Sequence, residues 1–426
     1  MIKIYLANIR LTIALCVVVC VCEAQAGIDS LIIPPNAAPV FEPRLSDFTQ
    51  STLKESKKLA WFEKVSLGGY IQLRYNRLFE TNPDLTCEQC DKSIGDGNGF
   101  FIRRNRLRVA GMVHPRMFMY VQLDFASSTS SSSIHYAQVR DAYFDLGLVE
   151  DNSWRLRFGQ SKTPYGFINM QSSQNRINLD RDDALNSGSA NERDLGVFLY
   201  WAPVEKRKLL SELVKSGLKG SGDYGCFGYG VYNGQNANKP ELNNSMHQVV
   251  RFSWPFYAGN QIIETGVQAY QGKYTLPSVS SGVKVVSDLT YDDRRAAASF
   301  VMYPKPFGIQ AEYNVGRGPE FNKLTDSIEL TPIKGGYIML NYMARYKEHI
   351  IHPFIRYTYY DGGKKHERDA RSYEVQETEF GVEWIPFKNF ELVLAYNIAD
   401  RRYEDFQKQD NRQIGRFMRV QAQMNF

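Results

Sequence analysis

Three arginines stand at alternate positions of residues 101–109 (FIRRNRLRV). In an extended strand, residues two apart share a face and lie about 7 Å from each other. With Leu107 on an apolar face, Arg104, Arg106 and Arg108 form a column on the opposite face. Guanidinium groups bind anions through a rigid fork of N–H donors. The spacing therefore predicts an anion-binding surface.

A second interpretation of this column is a ladder of salt bridges. Like charges stacked on one face destabilise a sheet unless counter-charges lie opposite them. Carboxylates on neighbouring strands would supply those charges, and Asp124 on the following strand is one candidate. The sequence leaves the anion-binding and salt-bridge interpretations open.

Other strands carry further basic residues on the same predicted inner face. Alternation puts Arg74 there, together with Arg155 and Arg157, and Lys162 follows shortly after. Later strands add both signs of charge to this face, which predicts a mixed wall rather than a uniformly basic one. These later residues are Glu264, Glu312, Glu379, Glu383, Glu391, Arg251, Arg345, Arg356 and Arg419.

The longest predicted loop runs from Ser161 to Arg193. It is rich in Asn, Ser and Gln, and it interleaves basic and acidic residues. A loop of this length is usually functional or disordered. We predict that it folds inward and narrows a wet interior beside the arginine column; the alternative is an exposed, mobile loop. Its basic residues are Lys162, Arg176, Arg181 and Arg193, and its acidic residues are Asp180, Asp182, Asp183, Glu192 and, just beyond, Asp194.

Cys87 and Cys90 form a C-x-x-C pair in a polar stretch. A lone pair of this kind lacks the two further ligands that zinc normally requires. For an exported chain we predict a small loop disulfide, with free thiols and a metal site as the alternatives. No metal site and no cofactor are predicted.

Catalytic signatures are not found. The histidines at 114, 135, 247, 349, 352 and 366 stand in no nucleophile-and-base motif. The glycines of residues 225–230 fall inside a strand pattern rather than before a helix, so they do not indicate a phosphate-cradling loop. The sequence therefore predicts a protein that is not an enzyme.

The elements that would position these side chains are β-strands. From residue 65 onward, apolar and polar residues alternate in about sixteen segments, with fourteen or eighteen also compatible with the uncertain boundaries. Short links such as 114–115, 257–260 and 386–388 alternate with longer ones such as 77–99, 161–193 and 317–334. This asymmetry is typical of a closed antiparallel barrel in an outer membrane. One link, 203–222, is long where a short one is expected, and residues 205–218 in it have the pattern of a small amphipathic helix.

The last strand, Arg416 to Phe426, shows the alternation most clearly. Met418, Val420, Ala422 and Met424 share one face, and Arg419, Gln421, Gln423 and Asn425 share the other. An apolar outer face ending on a terminal aromatic indicates a barrel wall that meets lipid. The alternative is an edge strand of a soluble sheet.

The N-terminus has the features of an export signal. A basic region with Lys3 and Arg10 precedes the apolar run 11–21 and the small-x-small site 24–26. We predict cleavage after Ala26; an uncleaved anchor and a lipidated Cys22 are the alternatives. An irregular, Pro-rich and partly helical periplasmic segment, 27–64, then precedes the barrel, 65–426.

Composition agrees with this organisation. No run of about twenty apolar residues follows residue 26, so no transmembrane helix is predicted. The net charge of +5 becomes +4 when the signal removes two basic residues and one acidic residue (5 − 2 + 1), which is too small to indicate a nucleic-acid partner. The 26 Tyr and 25 Phe suit aromatic girdles at two membrane interfaces.

Several stretches resemble the phosphate-selective porin O and P family. They are GGYIQ at 68–72, RRNRLR at 103–108, GQSKTPYG at 159–166, YGVYNG at 229–234 and the terminal Phe426. The resemblance implies a sixteen-stranded homotrimeric barrel in the bacterial outer membrane, with lumenal Arg and Lys guiding anions such as phosphate. Position by position, Lys162 and the arginines at 104, 106 and 108 carry over. The terminal aromatic is implied to be recognised by the barrel-assembly machinery.

From these observations we expect an outer-membrane porin, a passive channel for small polar solutes with a preference for anions. The alternative is a barrel that does not conduct, serving as a structural or adhesive component of the envelope. The two differ in ion conductance, because a plugged barrel conducts poorly.

Overall fold

The computed structural model describes residues 64–85, 99–130 and 133–426. The predicted signal peptide, residues 27–63 and the Cys87 and Cys90 pair lie outside the described residues. The first strand in the described residues begins at Val65.

Sixteen antiparallel strands form one closed sheet within these residues, which confirms the predicted all-β barrel. Each strand pairs with the next, and β16 pairs back with β1. β12 is interrupted at Met343 and continues as Ala344–Tyr346 against the same neighbour. The strands are β1 Val65–Leu78, β2 Phe100–His114, β3 Met117–Ser130, β4 Ser133–Gly147, β5 Trp154–Lys162, β6 Arg193–Trp201, β7 Phe227–Tyr232, β8 His247–Ala258, β9 Gln261–Thr275, β10 Thr290–Met302, β11 Phe307–Asn322, β12 Ser327–Tyr342, β13 His349–Gly363, β14 Ser372–Phe387, β15 Phe390–Glu404 and β16 Arg412–Asn425.

The seam between the first and last strands closes at Gly69 and Phe426. Their backbones exchange two hydrogen bonds, of 2.8 and 3.0 Å. A methyl group added at Gly69 would lie 2.1 Å from the carbonyl oxygen of Arg106 and 2.7 Å from the Phe426 ring. Only glycine permits so close an approach at this position.

Alternation divides the wall into two faces. In β16, Met424 is 48% exposed on the outside, whereas Gln423 is 3% exposed on the inside. Aromatic side chains pair at the short-turn end, where Trp154 lies 5.9 Å from Trp201 and Phe387 lies 5.6 Å from Phe390 between ring centroids. An apolar outer band bordered by aromatic residues matches the hydrocarbon core and interface of a bilayer.

The prediction of a loop at 317–334 is wrong. β11 and β12 pair continuously up to Asn322 and Ser327, so the connecting loop is 323–326. Charged residues and the Gly318-Pro319 step suggest a turn in the sequence. The paired strands nevertheless continue through this step, with Arg317 exposed and Phe321 buried.

Helical segments are short in the described residues: α1 Phe167–Met170, α2 Asp183–Asn186 and α3 Val204–Lys215, with 3-10 turns at Ala190–Glu192 and Arg368–Ala370. Among these residues, no helix is long and apolar enough to cross a membrane.

Two connections enter the barrel from opposite ends. We call the connection 163–192, between β5 and β6, loop L3, and the connection 202–226, between β6 and β7, turn T3. Most of L3 is buried, with Ile168 and Leu185 fully so. L3 packs with wall residues into one large apolar cluster, and T3 contributes Leu209, Leu210 and Leu213 to a second. The lumen is therefore largely filled by the chain itself.

Candidate functional site inside the barrel

L3 crosses the lumen and is fixed at both ends of α1. The Glu312 carboxylate on β11 accepts hydrogen bonds from the backbone N–H groups of Phe167 (2.6 Å) and Ile168 (2.8 Å). The Lys162 ammonium donates to the carbonyl oxygens of Met170 (2.8 Å) and Gln171 (2.9 Å). Charges of these signs satisfy the unpaired groups at the two ends of a helix. The predicted pore residue Lys162 thus holds L3 in place.

The second half of L3 is anchored to the upper wall. Asp182 caps α2 by accepting a 2.9 Å hydrogen bond from the backbone of Ala184. Asp183 pairs with Lys364 at 2.8 Å, and Arg295 on β10 donates to the Ser187 hydroxyl at 2.6 Å. Burial raises the pKa of the Asp182 carboxyl to about 7, and the neighbouring Arg356 only partly offsets this.

Asp180, between the two helices, lies at the centre of a group of arginines. Its carboxylate is 3.0 Å from Arg74 on β1, 2.5 Å from Arg419 on β16 and 3.8 Å from Arg103 on β2. The Arg356 guanidinium also donates to its backbone carbonyl at 3.0 Å. One carboxylate therefore draws together guanidinium groups from separate strands, which an anion with several oxygens can also do.

The arginine column combines the two interpretations open from the sequence. Arg104, Arg106 and Arg108 are all buried inside the barrel. Arg106 pairs with Asp124 at 2.9 Å, as the salt-bridge interpretation has it. Arg104 donates to the Gln72 amide oxygen at 2.8 Å and contacts no carboxylate in the described part of the chain. The column is only partly neutralised.

Several buried donors lie unpaired where L3 meets this column. Arg104 Nε, Arg181 Nε, and both Nε and Nη1 of Arg176 have no acceptor among the described residues. Burial, with repulsion from Arg181, lowers the pKa of Arg176 well below its ordinary value. Arginine does not lose its proton in proteins. The lowered pKa therefore expresses the cost of burying the Arg176 charge and of holding it near other guanidinium groups.

The other loop arginines are paired. Arg181 contacts Glu192 at 3.1 Å, and Arg193 contacts Glu192 at 3.0 Å and Asp141 at 2.9 Å. Burial opposes ionisation of Glu192, but the surrounding guanidinium groups outweigh it and hold the pKa of Glu192 below its usual range.

Arg155 and Arg157 lie lower in the lumen, nearer the short-turn end. Arg157 pairs with Asp145 at 2.7 Å and stacks 3.8 Å above the Tyr143 ring. Arg155 pairs with Asp223 of T3 at 2.8 Å. These two arginines thus lie apart from Arg104, Arg176 and Arg181, and the structure does not bring all the predicted basic residues into one site.

Strict alternation missed Arg103. It occupies the extra position of an irregularity in β2, because Gln72 pairs with Arg104 while Leu73 pairs with Ile102. A bulge of this kind re-aims a side chain, and Arg103 reaches Asp180 as a result. The run of two adjacent arginines was the only sequence signal for it.

A small cavity of about 20 Å³, roughly the space of one water molecule, separates L3 from the wall beside Asp180. Its walls carry both signs of charge. The charged residues that line the cavity are Asp180, Arg181 and Asp183 from L3, and Arg356, Glu377, Arg401 and Arg419 from the barrel.

These features define a class. The barrel is closed, has an apolar outer face with aromatic borders, and carries long loops at one end. Its charged lumen contains an inward-folded loop. This is the architecture of an outer-membrane porin. Residues 84–426 match the model of the phosphate-selective porin O and P family, and the chain belongs to this family. The resemblance seen in the sequence is confirmed.

Comparison with curated proteins finds no match. Among solved structures, the outer membrane channel DcaP of Acinetobacter baumannii is 13% identical with a TM-score of 0.51, over 85% of this chain and 97% of that one. OmpF of Salmonella typhi, in complex with daunomycin, is 12% identical with a TM-score of 0.53, over 85% and 97%. At such identities the likeness shows the fold alone.

Family and fold place this chain in the bacterial outer membrane as a porin channel. The proteins of this family and fold are channels rather than enzymes. Membership therefore favours the interpretation of this chain as a porin over its interpretation as a structural or adhesive barrel.

Proposed function

We propose that this porin passes small polar solutes by passive diffusion and prefers anions, phosphate among them. The observation that carries the proposal is the group of buried arginines with unpaired donors where L3 meets the wall. Within the described residues, neither Arg104 nor Arg176 contacts a carboxylate, and Arg176 has two nitrogens without an acceptor.

An anion would relieve this arrangement. A buried donor without an acceptor costs about 1 to 3 kcal/mol, and the mutual repulsion of Arg176, Arg181 and Arg103 adds to that cost. A small oxyanion offers several acceptor oxygens and a negative charge at once. Its binding replaces water in that role, so anions are favoured over cations of the same size.

The carboxylates of the wall do not cancel this preference. Most of the glutamates predicted on the inner face are neutralised by a direct partner, so their charge is not available to passing cations. Glu379 pairs with Arg356 and Arg419, each at 2.9 Å. Glu264 pairs with Arg251 at 3.1 Å, and Glu383 pairs with Lys219 at 2.7 Å. Glu312 binds backbone N–H groups of L3 instead.

The Asp180 carboxylate competes with passing anions for the surrounding guanidinium groups. It binds Arg74, Arg103 and Arg419 when no solute is present. A passing anion takes over part of these contacts, which lowers the cost of moving between positions. When an anion moves between sites of similar affinity, it can bind to the channel and still leave it.

The test replaces Arg104 and Arg176 together by Gln, which keeps a polar side chain and removes the charge. The matched control is Arg317→Gln, because Arg317 is exposed near the outer end of β11. Phosphate added to a chloride solution should reduce the wild-type current as phosphate binds. The double variant should need about 10 to 150 times more phosphate, as expected for the loss of about 1.5 to 3 kcal/mol from charged hydrogen bonds.

The Arg317→Gln control should behave as the wild type does. Equal phosphate sensitivity in the wild type and the double variant would place the anion site elsewhere or remove it altogether. Heat-modifiable migration of each variant verifies that its barrel is folded.

We further infer a homotrimer in outer-membrane lipid and recognition of Phe426 by the barrel-assembly machinery. The family supports both inferences. Phe426 is half exposed at the closing seam, where its ring is accessible to another protein.

A further inference from the structure

T3 is far longer than its connection requires. Trp201 and Phe227, which end β6 and begin β7, are direct partners in adjacent strands, so a tight turn would join them. The other connections described at this end, 115–116, 148–153, 259–260, 303–306, 347–348 and 388–389, are short. The additional residues of T3 therefore have a role other than joining β6 to β7.

T3 extends across the mouth of the barrel to the opposite wall. Lys219 reaches Glu383 on β14 at 2.7 Å and lies 3.8 Å from Glu391 on β15. In a ring of sixteen strands, β14 is eight strands from β6 and therefore faces it. Although burial opposes it, the two carboxylates raise the pKa of Lys219 above its ordinary value. The ammonium is held charged at the far side of the opening.

Contacts around the rim fix T3 along its course. Lys206 donates to the carbonyl oxygen of Pro255 on β8 at 2.9 Å, and Arg207 donates to that of Asn152 at 3.0 Å. Arg345, in the continuation of β12, donates to the carbonyl oxygen of Ser216 at 3.3 Å. T3 is thus attached on several sides of the opening rather than lying along one wall.

The helix α3 turns its apolar side into the barrel. Leu209, Leu210 and Leu213 are buried and share a cluster with Phe167 of L3. The Gln171 amide of L3 also donates to the carbonyl oxygen of Lys219 at 2.6 Å. The outer side of α3, with Glu205, Lys208 and Glu212, is exposed. T3 therefore closes on L3 from below.

We propose that T3 is a second constriction of the pore, at the periplasmic mouth and in series with L3, and that it limits the size of solutes that pass. This proposal does not depend on the anion preference. A solute that has passed L3 must still pass T3, which is fixed across the opening by the ion pair at Lys219, before it reaches the periplasm.

Buried ion pairs often contribute little net stability but fix one geometry. The pair of Lys219 with Glu383 fits that role, because it joins the far end of T3 to the wall opposite its origin. Its removal should free this end of the turn and widen the opening.

The test compares four full-length proteins. They are the wild type, a variant with 204–224 replaced by a short Gly-Ser turn, a variant lacking 170–185 of L3, and the combination. Constrictions in series each limit the current, so removing one leaves the other in control. T3 replacement should therefore raise single-channel conductance by a larger factor in the background that lacks the L3 segment than in the wild type.

A factor that is equal or smaller in that background would overturn the proposal. Liposome swelling with uncharged sugars of increasing size gives a second readout. T3 replacement should admit larger sugars, and an unchanged size limit would equally contradict the proposal.

Point variants avoid the risk that the replacement does not fold. Lys219→Gln removes the contact with the opposite wall, and Lys208→Gln removes the same charge from the exposed side of α3 in the same turn. In the background that lacks the L3 segment, Lys219→Gln should raise conductance and Lys208→Gln should not. Equal conductance of the two variants would show that the far end of T3 does not restrict the pore.

Discussion

L3 and T3 enter one barrel from opposite ends and are held there by different sets of contacts. L3 combines apolar packing against the wall with many charged anchors, with Asp180 among arginines and α1 fixed between Lys162 and Glu312. T3 packs through the leucines of α3 and has ionic contacts with the wall at Asp223 and Lys219. The two segments touch each other where the Gln171 amide donates to the carbonyl oxygen of Lys219.

This difference separates two properties of a pore. Charges near the solute path decide which ions are favoured, whereas apolar packing sets only the width of the path. Substitutions in L3 should therefore change both conductance and ion selectivity. Substitutions on the buried side of α3 should change conductance and leave selectivity nearly unaltered.

The largest effect is expected from deletion of residues 170–185. This change removes most of L3 from the lumen, including Arg176, Asp180 and Arg181, and should raise single-channel conductance severalfold. Planar-bilayer recordings of a properly folded barrel measure it. Unchanged conductance would mean that L3 does not narrow the pore and that its charges do not control which ions pass.

Asp180→Asn should have the next largest effect. It leaves Arg74, Arg103 and Arg419 without their shared carboxylate, which adds net positive charge to the site and strengthens anion preference. Removing one partner of a buried pair also costs about 3 to 5 kcal/mol, so the variant should unfold at a lower temperature. Reversal potentials and melting curves measure the two effects.

The control for this variant is Asp183→Asn, which removes the same charge from the pair with Lys364 higher in the barrel. Its shift in reversal potential should be smaller than that of Asp180→Asn. Equal shifts would mean that only the total charge of L3 matters, and not the position of the carboxylate among the arginines.

The smallest effect concerns pH. Because the pKa of Asp182 is about 7 in the fold and lower in an unfolded chain, folded L3 keeps a proton that unfolded L3 releases. Its contribution to stability is therefore complete below about pH 4 and is lost as pH rises toward the folded pKa. L3 should become more mobile between about pH 5 and pH 8, and conductance should rise modestly.

Asp182→Asn should reduce this pH dependence, since Asn cannot ionise but still caps α2. Conductance recorded across the same pH range in both proteins provides the measurement. An identical pH response in the variant would assign the effect to another group.

The strands were largely predictable because their physical cause is local. A wall with lipid on one side and polar groups on the other imposes a period of two, as Met424 and Gln423 show. The prediction was wrong at 317–334, where β11 and β12 remain paired through the Gly318-Pro319 step. Alternation also missed Arg103, because one irregular residue in β2 changes which face its side chain reaches.

The partners of the charged residues were less predictable than the charges themselves. Composition and length indicated that L3 folds inward, but not that Asp180 meets arginines from strands at both ends of the chain. The sequence indicated a helix in T3 without indicating its path. Such contacts join residues far apart in the sequence, and only closure of the barrel brings them together.

The central claim is that the buried arginines with unpaired donors beside L3 make this porin prefer anions. The reversal potential of single wild-type channels in a potassium chloride gradient tests it most directly, because its sign reports which ion crosses more readily. We predict the sign that corresponds to chloride as the more permeant ion. A potential near zero, or of the sign that corresponds to potassium, would contradict the claim.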